Sequence, residues 1–260
     1  MRDLEDRPRR RSALVARELA RLDIDIAAVS EVHFVEQGTL REDEAGYTPF
    51  WSGKNKDKRR LSGVSFMIKT SITRKMQNLP VGHSDCIMSL RLPIQDNKFA
   101  TVLSVYAPTL QAETGVEEAF SHDLHNLLQQ VDSKEKLLIL GDFNTRVGQD
   151  FQLWKGVLGR HGIGNSNDNR CLVLEFCSDH QLVITTTLFQ QKDRFKATYR
   201  HPRSKNWRLL DYVLTQQHDT RDALHTRADC PVQTAILIVG WYAAKSPLPS
   251  SLLQRENVPR

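Results

Sequence analysis

The chain has 260 residues, 40% of them hydrophobic and 26% charged, which permits one sizeable core and excludes wholesale disorder. Its 36 Lys and Arg against 31 Asp and Glu give a formal charge of +5, compatible with a polyanionic partner without demanding one. The N-terminus is charged from Arg2 onward, so no signal peptide is expected, and the longest apolar run, residues 235–244, falls well short of the roughly 20 residues that span a bilayer.

Residues 1–11 are polar and Arg-rich and read as a basic lead-in. Across 12–22, Leu14, Val15, Leu19 and Leu22 recur at helical spacing, and residues 24–29 then form a short apolar strand that ends at Ser30-Glu31. Residues 46–63, with Trp51 and a dense Lys/Arg run, read as a loop. Strands are expected at 63–69, 86–92 and 99–106, and a helix at 117–131 with Phe120, Leu124, Leu127, Leu128 and Val131 on one face. Residues 137–140 make a fully apolar strand that releases Gly141-Asp142-Phe143-Asn144, with Gly141 letting the backbone turn at the sheet end. A Gly-rich loop at 156–164, a helix at 169–177 and strands at 181–186, 197–200 and 208–214 follow.

After Cys230 the texture changes to the apolar run and then a Pro/Ser-rich tail, which gives one domain over 12–230 between a lead-in and a divergent segment, 231–260. Many strands with few helices predict a mixed α/β sandwich, sheets inside and helices outside; the strands are too irregularly spaced for a doubly wound parallel sheet. Cys86, Cys171, Cys177 and Cys230 lack paired spacing and read as reduced thiols of an intracellular protein, the nucleus included.

Three strand ends and one strand interior are candidates for chemistry. Asp142 and Asn144 leave an apolar strand two positions apart, where a carboxylate can take a proton from water and a carboxamide can hold that water; Asp and Asn are equally common in a plain turn. Glu31, a hard oxygen donor, suits Mg²⁺ or simple solvation. The Tyr106 phenol can donate to a phosphate oxygen or cap a core with its hydroxyl in water. Asp211 sits within an apolar strand, where a carboxylate is costly unless paired; orienting a His and pairing with an Arg are both open. The basic clusters at 7–11, 54–60 and 194–208 read either as phosphate-facing stripes or as solvated loops.

Taken in order, residues 13–22, residues 24–31, Leu140-Gly141-Asp142-Phe143-Asn144 and residues 201–205 resemble the endonuclease/exonuclease/phosphatase superfamily. More narrowly they resemble the apurinic-endonuclease-like domain of RTE-type non-LTR retrotransposons, and the craniofacial development protein 2-like group derived from it. The resemblance runs from about Arg9 to Cys230. It implies a DNase-I-like four-layer α/β sandwich, two mixed sheets flanked by helices, that hydrolyses DNA phosphodiesters with Mg²⁺ or Mn²⁺. By the same resemblance Glu31 is the metal ligand, Tyr106 contacts the scissile phosphate, Asp142 activates water that Asn144 orients, and Asp211 holds a catalytic His. Asn167 or Asn169 lies near further polar contacts, and the 54–60 and 194–208 clusters face DNA.

The chain departs from that pattern in three places. The family's first strand carries Trp-Asn-Val-Arg-Thr, and here the sequence starts after it. Glu31-Val32-His33 stands where Glu-Thr-Arg is usual. Ala228-Asp229-Cys230 runs into Pro231 rather than into Trp-Thr-Asp-His, whose His is the catalytic one. The expectation is therefore altered or missing first and last strands and an endonuclease of impaired activity, with a non-catalytic nucleic-acid-binding or interaction domain as the alternative. His218 and His225 follow the Asp211 strand as substitutes for the missing imidazole, and residues 235–244 are candidates to refill the place of the last strand.

Overall fold

The computed structural model describes residues 6–40, 46–55, 62–94, 98–109, 112, 115–167, 170–200, 203–223, 226 and 236–238. The elements run α1 (Asp6–Arg21), β1 (Ile26–Ser30), β2 (Gln37–Thr39), β3 (Tyr47–Ser52), β4 (Val64–Lys69), the single turn α2 (Thr70–Thr73), β5 (Val81–Gly82), β6 (Ile87–Pro93) and β7 (Phe99–Tyr106). They continue with α3 (Val116–Gln130), β8 (Lys136–Asp142), α4 (Arg170–Asp179), β9 (Leu182–Ile184), β10 (Tyr199–Arg200), β11 (Trp207–Arg208), β12 (Asp211–Gln216) and β13 (Ile236–Ile238).

Two sheets carry the fold. One has the order β13-β1-β4-β3-β2; the other has the order β5-β6-β7-β8-β12-β9, in which β7 and β8 are the parallel pair. A parallel pair needs a crossover, and α3 supplies it. Side chains alternate along each strand, so the cores stack in layers. Leu137 and Ile139 of β8 face the helices with Leu124 and Leu174, while Leu138 and Leu140 face the other sheet with Val64, Phe66 and Ile68. On the far side of that sheet, Ala27, Val29 and Met67 pack against Ala16 and Leu19 of α1. The result is helix, sheet, sheet, helix, as the resemblance implied.

Several boundaries differ from the sequence reading. The first helix starts at Asp6, inside the stretch read as a lead-in. The stretch read as a loop over 46–63 contains β3, in which every residue except Trp51 is buried: the Lys/Arg run dominates that stretch, yet Tyr47, Thr48, Phe50 and Trp51 are strand formers. Strand β8 runs on through Gly141 to Asp142, so Gly141 makes no turn. Its lack of a side chain serves close approach instead, since a Cβ there would lie 1.8 Å from the Val105 carbonyl oxygen of β7. Three residues of the 235–244 run form β13, which pairs with β1 through Ala27↔Ile238, Ala28↔Leu237 and Val29↔Ile236, and so covers an edge whose residues from Ala27 to Ser30 are buried. Among the described residues, no helix is long and apolar enough to cross a membrane. Cys86, Cys171 and Cys177 are free thiols; Cys230 lies outside the described residues.

Candidate active site

Strand register assembles the site. Tyr106 at the end of β7 pairs with Asp142 at the end of β8, and Asp142 pairs with Asp211 at the start of β12. At roughly 4.8 Å per strand, the three stand in one row about 10 Å long. Alternation then gives them a common face. Tyr106 packs in the inter-sheet core, Asp142 has the parity of Leu138 and Leu140, and Asp211 has that of Val213, all residues of the same core. Glu31 enters from the opposite sheet, one residue beyond β1, and accepts a hydrogen bond of 2.9 Å from the Tyr106 hydroxyl. Glu31 and Asp142 therefore lie at one rim of the paired sheets.

The backbone at this rim adopts an uncommon conformation at two positions. Glu31 (φ 56°) and Asn144 (φ 48°) adopt the left-handed conformation, which costs a non-glycine residue on the order of 1 kcal/mol or more. Asn144 tolerates it best, because Asp142 Oδ1 accepts its backbone N–H at 2.7 Å in a local turn. The Asn144 side-chain amide donates to the Ala107 carbonyl oxygen at 2.7 Å and also contacts the Tyr106 hydroxyl. The loop that follows is fixed by Asn167, which the resemblance set near further polar contacts, and by Tyr212, which the sequence reading did not single out. Asn167 Oδ1 accepts from the Thr145 hydroxyl and the Arg146 N–H, so Asn167 clamps this loop through its carboxamide oxygen. Asn169 lies outside the described residues. The Tyr212 hydroxyl accepts the Val147 N–H and reaches the carbonyls of Leu209 and Thr145.

Electrostatics mark the row as unusual. Burial raises the Asp142 carboxyl well above the ordinary range, and the Asp211 and Glu31 charges raise it further against the hydrogen bond from Asn144. Asp211, 3% exposed, is pushed up to about 6 by burial, opposed by a hydrogen bond from Thr198 and reinforced by Glu31. Its Oδ1 has no hydrogen-bond partner among the described residues. The Arg pairing left open for Asp211 is therefore not formed there: among the described residues no ion pair reaches it. Burial, then the Glu31 charge, also raises the Tyr106 phenol, so it stays protonated and acts as a donor. Its single O–H is committed to Glu31, so contact with a phosphate requires an exchange of partners.

Not every candidate arrives. His218 lies in the turn after Gln216, at the opposite end of β12 from Asp211, about 17 Å of strand away, so it is no substitute imidazole. His225 lies outside the described residues. In the 194–208 cluster Lys196 is buried, with its ammonium on the His161 carbonyl, and serves the fold rather than the surface. Thr198, missed in the sequence, accepts the Leu210 and Asp211 N–H groups and ties the β10–β11 hairpin to the row; only the tertiary structure reveals it. Among the described residues no three His, Cys, Asp or Glu side chains converge as a ready-made metal cage. A single carboxylate completed by substrate oxygens is nevertheless an ordinary Mg²⁺ arrangement, and Glu31, a hard oxygen donor at the rim, fits that role.

The sequence matches the model of the Endonuclease/Exonuclease/phosphatase family over residues 4–232. The chain belongs to that family. It is 33% identical over 233 residues to craniofacial development protein 2 of Bos taurus and 32% identical to that of Tragulus javanicus. Both alignments cover 86% of this chain but only 37% and 38% of those proteins, so the chain spans little more than a third of their length. Among solved structures it is similar to the endonuclease domain of TRAS1, a telomere-specific non-LTR retrotransposon, with a TM-score of 0.54, 12% identity and 81% of each chain covered. An endonuclease/exonuclease/phosphatase family protein from Leptotrichia buccalis gives a TM-score of 0.50 at 16% identity, covering 82% of this chain and 83% of that one. These two likenesses show the fold.

Proposed function

We propose that the chain is a divalent-metal-dependent endonuclease domain that hydrolyses DNA phosphodiester bonds, slowed by an incomplete partner set at Asp211. The observation that carries this reading is the row Tyr106, Asp142, Asp211 facing Glu31 across the two sheets. In it Glu31 is the principal metal ligand. A bound Mg²⁺ or Mn²⁺ would polarise a phosphoryl oxygen and offset developing charge. Tyr106, held protonated, donates to the phosphate once released from Glu31. Asp142, its carboxyl raised toward the working pH, is a better proton acceptor for the attacking water than a surface aspartate, and Asn144 keeps that water in place.

Asp211 is suited to orient an imidazole, and among the described residues its Oδ1 has no partner, which favours the reading that this proton relay is not assembled. Members of a catalytic set act as a unit, so loss of one lowers the rate by orders of magnitude. The same observation supports the second reading, a domain that binds metal and nucleic acid without cleaving.

DNA as the partner is supported by the hairpin beside Asp211. Trp207 is 52% exposed and Tyr199 is 37% exposed, with the Arg200 guanidinium 5.7 Å from the Trp207 ring and Arg203 and Lys205 exposed nearby. Aromatic faces interleaved with Arg and Lys suit stacked bases and phosphates. The test is plasmid nicking with Mg²⁺ and with EDTA, beside Asp142→Ala. Metal-dependent nicking that Asp142→Ala abolishes is the expected result. No nicking with retained, salt-sensitive DNA binding would select the non-catalytic reading; no DNA binding at all would overturn both.

A further inference from the structure

Away from the rim, two imidazoles meet on the helical layer that covers the six-stranded sheet. His125 is exposed on α3, next to Leu124, which anchors that helix in the core. His180 follows α4 directly. Its N–H donates to the Phe176 carbonyl at 3.1 Å, and its ring rests on the Phe176 ring with centroids 4.6 Å apart. The chain then turns at Gln181 in the left-handed conformation (φ 52°), and the Gln181 carbonyl accepts the Gln217 N–H at 2.8 Å. Both backbones are therefore fixed, and they bring His125 Nδ1 to 3.0 Å from His180 Nε2, with the ring planes at 62°.

A hydrogen bond between the rings accounts for the distance alone. Three further features suit a shared cation. Two imidazole nitrogens held at about 2.0–2.1 Å by one tetrahedral ion stand roughly 3.3 Å apart, so a small turn of either ring makes room for it. Gln129, one turn beyond His125 on α3, has its carboxamide 2.8 Å from His125 Nε2. With its oxygen turned inward, that carboxamide accepts the Nε2–H and leaves the Nδ1 lone pair to a metal, the support that metal-bound imidazoles ordinarily have. Burial, and then His125, lower the pKa of His180, so its ring is neutral, the form that binds metal. Among the described residues no third His, Cys, Asp or Glu completes the set, so water fills the remaining positions.

We infer that His125 and His180 form a two-imidazole site for Zn²⁺ that ties α3 to α4. It is independent of the rim in position and in chemistry, because paired nitrogen donors favour Zn²⁺ while Mg²⁺ and Mn²⁺ favour oxygen. The experiment is a Zn²⁺ titration of the full chain at pH 7.5, followed by long-range ¹H–¹⁵N correlation of the imidazoles, with affinity measured by competition against a zinc-binding dye. Saturation should fix His125 as the Nε2–H tautomer and His180 as the Nδ1–H tautomer, and Mg²⁺ at the same concentration should leave both rings unchanged. His125→Ala and His180→Ala should each remove this saturable event, and Gln129→Leu should weaken it about tenfold. Zinc that leaves both rings as they were, or an affinity equal in wild type and in both alanine variants, overturns the site. The tautomer readout is made on the unmodified protein, so it stands even where a variant fails to fold.

Discussion

Where β8 begins, at one end of the six-stranded sheet, Lys136 binds both Asp219, at 3.1 Å, and Asp222, while Glu135 takes Arg91 and the Thr101 hydroxyl. Where β8 ends, Asp142 and Asp211 stand side by side opposite Glu31, and among the described residues no ion pair reaches any of the three. The same strands thus hold acids at both ends, satisfied at one and mutually repelling at the other. Charge that serves the fold is neutralised by the chain itself. Charge left to raise its neighbours' pKa values is the better pointer to a site, because folding alone does not account for it.

The largest effect should come from the satisfied end. Lys136→Met leaves Asp219 and Asp222 without their shared cation and should cost about 2 kcal/mol in urea unfolding. A neutral result would mean that the two ends do not differ as described. At the other end the sign should reverse: Asp211→Asn should raise stability at pH 7.5 without metal by roughly 1 to 2 kcal/mol, because it removes a carboxylate whose ionisation the fold resists. At pH 4 the gain should vanish, since the acid is then protonated in the folded protein; a gain of equal size at both pH values would point to packing instead.

The pH dependence of the unmodified protein sharpens the same contrast. The folded Asp211 carboxyl titrates at about 6, above its ordinary value of 3.8, so the folded state holds the proton more tightly than the unfolded chain. Its contribution to stability is full below pH 4, falls as pH rises from about 4 to 6, and stays low above. Urea midpoints measured across that window should fall for wild type by more than for Asp211→Asn. The smallest effect belongs to Tyr106→Phe, which removes one hydrogen bond to an exposed carboxylate and should cost about 1 kcal/mol or less.

Much of this was legible in the sequence, for reasons that particular residues make plain. The apolar runs that end at Asp142 and surround Asp211 fix both strands, and period-2 alternation puts both carboxyls on the inter-sheet face. That Glu31 crosses from another sheet to meet Tyr106 is not written in any periodicity; only the family resemblance suggested it. Strand β3 was hidden because the basic run after Ser52 outweighed the aromatic residues before it. Gly141 reads as a turn in a tetrapeptide and acts as a close contact only once β7 lies beside it. Thr198 and Asn167 hold the site through backbone N–H groups, and such bonds leave no local pattern.

The most direct test is cation binding at the rim. Titrate Mn²⁺ into the protein at pH 7.5 and follow the free ion by electron paramagnetic resonance, with Glu31→Gln and Lys136→Met in parallel. One saturable site should appear, weaken at least about tenfold in Glu31→Gln, and persist in Lys136→Met. Binding that is unchanged by Glu31→Gln, or no saturable binding at all, would contradict the assignment of this rim as a metal-dependent site.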